Sequence, residues 1–556
     1  MQERALRHGL RLSLCSNMEN REILKLMNPT HTVSTAELEV NASHSSSSKW
    51  RWLFASSLLV WCAAVVKLIT HLYASHFYGY FTDELYYLAC ARHLAWGYVD
   101  QPPLIAAITR LGTAFFGESL PAIRFIPALA GVGKIILTGL IARELGGSRF
   151  AQGLAALAVL LAPGFLGMDN LLSMNVFEPL FWLSCAYVVL RIVQTGNQRL
   201  WLWVGLWSGL GLLNKHSMLI FGLGIVVGLA LTRERRCFRS GWFWIGLLVA
   251  LLIFLPNLIW NIHNHFPFLE LQANIRHDER NVELGPFTFF VQEMQAMLPL
   301  TLPIWLGGLW FFFFTKAGRP YRVLGWACIV TFGVIYVLNP RIYYLWPAFP
   351  ILQAAGSVLW ESWLAKPSLR WVKLSYVILM VAMGVALAPM LLPILPVETY
   401  IHYAKAIHLE TPAIEKWKLG PLPQIYAAEF GWKEMVVEVA QAYQSVPPED
   451  RPKTAIFAQN FGQAGAVDLF GKKYGLPDAI SGHQNYFLWG PRDYTGESVI
   501  VMQGRQDQLE QVYASVEKRA HVEHPYSMPR EHFDIYYCRG LKVPLKEIWP
   551  SVKNWH

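Results

Sequence analysis

Residues 241–262 read GWFWIGLLVALLIFLPNLIWNI, a stretch without one charged side chain. About 20 apolar residues in a helix cross the roughly 30 Å hydrocarbon core of a bilayer, whereas a helix on a soluble domain keeps a polar face. The stretch therefore reads as a membrane span. Comparable runs lie near 52–73, 121–141, 150–167, 176–194, 200–214, 217–232, 289–314, 323–339, 343–362 and 371–394. The expected count is about eleven spans, and the short 200–214 and 217–232 pair also fits a tilted or re-entrant hairpin. Composition agrees. Of 556 residues, 54% are hydrophobic and only 15% charged, against about 25% charged in ordinary soluble domains. The expected fold class is a polytopic α-helical membrane protein, with two amphipathic surface helices and a small C-terminal α/β domain outside the membrane.

Residues 1–48 are polar and irregular and end in the run Ser45–Ser48. They read as a disordered cytosolic tail and lack the early apolar core of a cleaved signal peptide. With that end inside, sixteen Lys and Arg fall on the inner side of the spans. Six fall on the outer side, or seven with Arg124 at a span edge. This is the bias of cytosolic loops. It divides the chain into a tail (1–48), a transmembrane part (49–395) and a soluble periplasmic part (396–556). The net charge of +9 suits orientation and contact with anionic lipid. No basic, aromatic-studded soluble face accompanies it, so no nucleic-acid partner is expected. The seven cysteines are scattered without a CxxC, which makes neither a disulfide framework nor a zinc site.

The first outer loop, with its flanks, reads HFYGYFTDELYYLACARHLAWGYVDQPPLIAAITRLGTAFFGESLPAIR over residues 76–124. Leu85, Leu88, Ala89, His93 and Leu94 recur at helical spacing, as do Leu104, Ile105, Ile108 and Leu111. Two amphipathic helices on the membrane surface are expected, separated at Pro102 and Pro103, with Thr82 capping the first. Asp83 and Glu84 then fall in its first turn. Either they are helix-start charges, worth about 0.3–1 kcal/mol, or they are the acids of a site. In the second outer loop, PGFLGMDNLLSMNVFEPLFW (163–182), Glu178 sits where the chain re-enters apolar surroundings. An acid there needs a partner, such as a loop arginine, or a task.

Outward-facing cations are Lys215 in LLNKHSMLI, Arg276 and Arg280 in NIRHDERN, and Arg341 in NPRIYYLWPAFP. Singly, such cations snorkel to the interface. Several on the same side as the acids suggest an anion site, and the planar fork of Arg suits phosphate. Lys67 and Lys134 are exceptions inside spans. GVGKII (131–136) lacks the Ser/Thr and spacing of a phosphate loop, and Gly222, Gly224 and Gly228 read as helix-packing positions. His263 and His265 fit either a metal or ordinary hydrogen bonds. In the soluble part, TAIFAQN, SVIVMQ and FDIYYCRG read as strands, with helices near 430–444 and 462–474. Gly462 and Gly465 imitate a phosphate loop only weakly. YGLPDAISGHQNYFLWGP (474–491) fits either core packing or a sugar-stacking surface that binds the acceptor.

The succession FTDELYY, WGYVDQPPL, KHSML and RIYYLWPAFPIL resembles the polyprenyl-phosphate-sugar-dependent membrane glycosyltransferases, the C-type superfamily. That superfamily includes the protein O-mannosyltransferases and the bacterial lipid A aminoarabinose transferases. The resemblance covers roughly residues 52–365. It implies that Asp83 is the loop acid beside sugar and acceptor, with Glu84 its neighbour. It also implies that Lys215 and Arg341 are phosphate-facing cations, followed by the aromatic pair Tyr343 and Tyr344. Two departures stand out: Gln101 precedes Pro-Pro where His is common, and SMNVFEPL makes Glu178 only an approximate equivalent of a second-loop acid. Both leave the metal and the acceptor open.

The expected function is transfer of a sugar from a lipid-phosphate donor to an acceptor on the outer face, with inversion. Cytosolic nucleotide sugars do not reach that face, so a donor carried on lipid phosphate fits the topology. Asp83 and Glu84 are the expected catalytic residues. Lys215, Arg276, Arg280 and Arg341 are the expected donor-phosphate ligands, and Gln101, Glu178, Tyr343 and Tyr344 the expected sugar or acceptor contacts. No cofactor is certain, and a divalent metal is left open. The expected partners are a polyprenyl-phosphate-linked sugar, membrane lipid, and an acceptor that is a lipid, glycan or protein. The resemblance implies a bacterial inner membrane. The rival readings are a lipid or sugar transporter or flippase without transferase activity, and a membrane-anchored sensor.

Overall fold

The computed structural model describes residues 58–278, 282, 284–338, 341–408 and 415–556. The expected tail at 1–48 and the candidate Arg280 lie outside the described residues. Helix occupies each of the eleven segments read as spans, but not each is long enough to be one. Five helices have the length and apolarity to cross a membrane: Leu120–Glu144, Met174–Thr195, Gly241–His263, Arg319–Leu338 and Pro367–Leu391. Pro286–Ala296 and Pro299–Phe314, bent by 98° at their junction, make a sixth if counted as one broken span. Leu58–Ala74, Leu104–Phe116, Arg149–Leu161 and Met218–Ala230 are apolar but shorter. A helix of 13 residues such as Arg149–Leu161 rises only about 20 Å. Eleven full spans therefore exceed what length and composition support among the described residues. Pro163 and Pro299 interrupt runs that hydropathy alone joins, and the Lys215–Ser217 turn separates the short pair as read. The chain is nonetheless built as an integral membrane protein.

Local chemistry sets the helix limits. Ser173 caps Met174–Thr195, its Oγ accepting from the Asn175 amide at 3.2 Å, and Gly196 ends it with a left-handed φ of 68°, the conformation glycine adopts without a Cβ penalty. This helix is central: 72% of its apolar window is buried, against 22% for Gly241–His263. The latter leaves Leu247, Leu251, Leu255 and Ile259 exposed, the surface that lipid covers. Inside the bundle, Lys67 and Lys134 each stand 2.7 Å from a carboxylate oxygen of Asp169, and all three side chains are buried. That contact accounts for the two lysines that hydropathy leaves unexplained.

The closest helix crossings use glycine. A Cβ added at Gly356 would fall 1.7 Å from the Ile304 carbonyl oxygen, and one at Gly308 would fall 2.1 Å from that of Leu352. The Leu302–Phe314 and Phe349–Trp363 helices thus meet backbone to backbone. Gly224 and Gly228 approach Ala327 and Val323 similarly, whereas nothing lies within 4 Å of a Cβ at Gly222. Gly356→Ala is expected to lower stability by about 1–3 kcal/mol through forced repacking. Gly222→Ala serves as the neutral control, and melting of the detergent-solubilised proteins compares them.

The C-terminal part carries a five-stranded sheet of order β2-β1-β3-β5-β4, with β1 Thr454–Ala458, β2 Ile480–Ser481, β3 Ser498–Met502, β4 Tyr513–Val522 and β5 Phe533–Leu541. β1 pairs in parallel with β2 and β3, while β5 runs antiparallel to β3 and β4. β1, β3 and β5 are the strands read from sequence. β4 was not read there: its alternation is mostly polar, as suits an edge strand.

This sheet does not stand apart from the first loop. Leu85, Tyr86 and Tyr87 share one apolar core with Trp432, Val436, Ile456, Ile500 and Ile535. The Thr82–Arg92 helix is consequently buried on nearly every side, and it is not an amphipathic helix half-sunk in a membrane surface. Gly462 and Gly465 serve the same contact. A Cβ at either would meet Thr82 or the Leu85 backbone, at 2.6 Å and 2.8 Å.

Candidate functional site

The Thr82–Arg92 helix brings its two acids to different places. Phe81, and not Thr82, is its N-cap residue. Glu84 reaches back to accept from the Phe81 amide at 2.9 Å. Its carboxylate also accepts from the Leu172 amide at 2.9 Å and from both Nε and Nη2 of Arg124, each at 2.9 Å. Both side chains are buried. With every oxygen engaged, Glu84 is a fastener between the first loop, the second loop and the Leu120–Glu144 helix. Asp83, one residue earlier, points the other way and lines a cavity of about 1220 Å³.

That cavity collects residues far apart in sequence. Six of the ten singled out above line it: Asp83, Lys215, Arg276, Arg341, Tyr343 and Tyr344. Leu171, Ile335, Leu338, Leu387 and Leu391 supply an apolar wall, and Glu415, Gln484 and Arg530 line it from the C-terminal part. Lys215 ends the Trp201–Asn214 helix in extended conformation. Its Nζ donates to Asn175 at 2.8 Å and to Glu178 at 2.9 Å, and stands 3.8 Å from the Tyr344 ring centroid. Arg341 pairs with Glu415 and donates to the Tyr343 hydroxyl at 3.3 Å. Arg276 is exposed near the end of the Pro267–His277 helix.

Glu84, expected to be catalytic, and Gln101 and Glu178, expected to contact sugar or acceptor, do not line the cavity. Gln101 is buried, its amide directed at the Cys90 sulfur at 3.8 Å. Glu178 is held by Lys215 and by the Ser217 hydroxyl. A carboxylate in that apolar setting takes the nearest cation as its partner, so the lysine predicted to face phosphate and the acid predicted to face sugar face each other.

Asp100 is the cavity residue that sequence reading passed over in favour of its neighbour Gln101. It accepts from the Tyr86 hydroxyl at 3.1 Å. Enclosure pushes its carboxyl up to about 7, and Asp83 pushes in the same direction, against the lowering effect of the Tyr86 hydrogen bond. The available signal was its place in VDQPPL, directly before the rigid Pro-Pro. From the 474–491 segment only Gln484 lines the cavity. Asn485 instead accepts from the Val99 amide at 2.7 Å, tying the C-terminal part to the first loop, and Tyr486 donates to Asp468 within the C-terminal part at 2.7 Å. Among the described residues, no three His, Cys, Asp or Glu side chains stand where they would hold a metal ion together, and His263 and His265 do not line the cavity.

Known proteins align with this arrangement. Residues 100–260 match the family described as dolichyl-phosphate-mannose-protein mannosyltransferase. No curated protein sequence matches the chain. The fold is that of ArnT from Cupriavidus metallidurans. The crystal structure of ArnT bound to undecaprenyl phosphate superposes with a TM-score of 0.55 at 17% identity, covering 86% of this chain and 97% of ArnT. The apo structure gives 0.54 at 17% identity, covering 88% and 98%. Over residues 100–260 the chain is similar in sequence to the dolichyl-phosphate-mannose-protein mannosyltransferases, and over most of its length it is similar in fold to ArnT.

Proposed function

We propose that the protein transfers a sugar from a polyprenyl-phosphate-linked donor to an acceptor on the outer face of a bacterial inner membrane, with inversion at the anomeric carbon and Asp83 as general base. The observation that carries this reading is the convergence on one cavity of Asp83, the cations Lys215, Arg276, Arg341 and Arg530, and an apolar wall. The acceptor hydroxyl oxygen forms a bond to the anomeric carbon as the bond from that carbon to the lipid-phosphate oxygen breaks. The leaving phosphate keeps the electron pair, and the hydroxyl proton passes to the Asp83 carboxylate. General-base assistance contributes roughly 10²–10⁴-fold. Positive groups at the leaving phosphate contribute a comparable factor or more, because negative charge grows there in the transition state. Arg276 supplies that charge, joined by Arg341 and Lys215, whose partners Glu415 and Glu178 offset part of theirs. The prenyl tail occupies the apolar wall, and Tyr343 and Tyr344, stacked with centroids 5.1 Å apart, offer flat faces to a sugar ring.

The test is transfer itself. Protein reconstituted in vesicles, given polyprenyl phosphate bearing a labelled sugar and an envelope-lipid or glycan extract, is expected to move label from the prenyl lipid to an acceptor. One polyprenyl phosphate should be released per transfer. Label that crosses the bilayer still attached to its lipid, with no transfer, identifies a flippase and overturns the reading.

A further inference from the structure

Residues 553–556 run along a single stripe of the Pro267–His277 helix. Glu270, Asn274 and Asp278 lie four residues apart, hence on one side, and each is met. Lys553 Nζ stands 2.7 Å from Glu270, the Asn274 side-chain amide donates to the Trp555 carbonyl at 2.7 Å, and His556 Nδ1 stands 2.8 Å from Asp278. The two ion pairs are exposed enough to contribute little. The anchor is Trp555, which is 5% exposed. Its indole packs with Leu271 and Val99, and its Nε1 donates to the Gln484 carbonyl at 3.2 Å.

What this joint connects is the cavity wall. The same helix presents Gln272 and Arg276 to the cavity, and Gln484 lines it as well. Val99 directly precedes Asp100, another lining residue. The Trp555 contact thus holds an exposed arginine on a short helix in register with the first loop, whose Asp83 the proposed reaction uses. An arginine that must meet a phosphate gains from such preorganisation, since small misplacements weaken every contact it makes.

We infer that residues 553–556, anchored by Trp555, are a positioning strap that sets where Arg276 stands in the cavity and so tunes its hold on the donor phosphate. This rests on the sugar-transfer reading above. Undecaprenyl phosphate binding to the purified full chain tests it without requiring turnover. Trp555→Ala is expected to weaken binding about 10-fold and Trp555→Phe to restore most of it. Arg276→Ala is expected to weaken binding by a similar factor, and the double variant no more than either alone, because both remove one interaction.

Wild-type affinity in a folded Trp555→Ala protein, or losses that multiply in the double variant, overturn the strap. If Trp555→Ala does not fold, Asn274→Ala removes the backbone tie and leaves the indole in place. Binding weakened about 3-fold then supports the strap, and unchanged binding overturns it. Intact binding in Trp555→Ala beside lost transfer in Asp83→Asn sinks the strap and leaves the transferase reading standing. A wild-type protein that binds no undecaprenyl phosphate ends both.

Discussion

Asp83→Asn is expected to cut sugar transfer by roughly 10²–10⁴-fold while undecaprenyl phosphate affinity stays within about 3-fold of wild type. The substitution keeps shape and hydrogen-bonding size and removes the proton-accepting charge. It leaves in place the buried contacts that Glu84 makes with Arg124 and the Leu172 amide. Steady-state transfer and equilibrium lipid binding, measured on the same preparation, separate the two effects. Transfer within 3-fold of wild type would remove Asp83 from the chemistry. A parallel loss of lipid binding would make it a binding residue.

The largest effect on stability is expected at Arg124. Its Nη2 donates to Glu84, to the Gly79 carbonyl at 2.9 Å and to Glu429 at 3.1 Å, and all three charged side chains are buried. Arg124→Met keeps the bulk and strands the buried Glu84 carboxylate beside the Glu429 acid, and removal of one partner from a buried ion pair costs about 3–5 kcal/mol. Thermal melting is expected to show it directly. The two acids are not equivalent. Glu84 accepts from three separate donor groups besides its helix cap, whereas Glu429 meets only the shared Nη2 among the described residues. Burial therefore outweighs the arginine at Glu429 and pushes its carboxyl up to about 8.

The sign of the pH dependence follows. Between the usual carboxylate range and about pH 8 the folded state binds more protons at Glu429 than the unfolded chain does. This site therefore lends stability at low pH and loses it as pH rises through that window. Glu429→Gln is expected to flatten that decline between pH 5 and pH 8. An unchanged decline would mean that Glu429 is ionised and paired throughout.

Much of the helical architecture was open to reading along the chain, because a long apolar run has one good solution in a bilayer: to close its own backbone hydrogen bonds as a helix. The eleven helical segments, the strands β1, β3 and β5, and the packing role of Gly224 and Gly228 are local in this sense. Span number was less open, since Pro163 and Pro299 break helices whose flanks remain equally greasy. The candidate site divides in the same manner. Asp83 was recognisable from FTDELYY, but its twin Glu84 was not separable from it, because adjacent helical positions differ by about 100° in direction and only the packing says which side is the cavity.

Residue type and order by themselves determined that this chain is a membrane protein with acids and cations at the ends of its helices. Those properties follow from transfer free energies that each segment carries wherever it sits. Only tertiary structure decided which charges neutralise one another. Lys215 met Glu178, Arg124 met Glu84 and Glu429, and Lys67 with Lys134 met Asp169. The physical reason is the steepness of electrostatics in an apolar medium: a few ångströms separate a paired ion from a costly buried one, and no sequence pattern records distances between segments that are far apart along the chain.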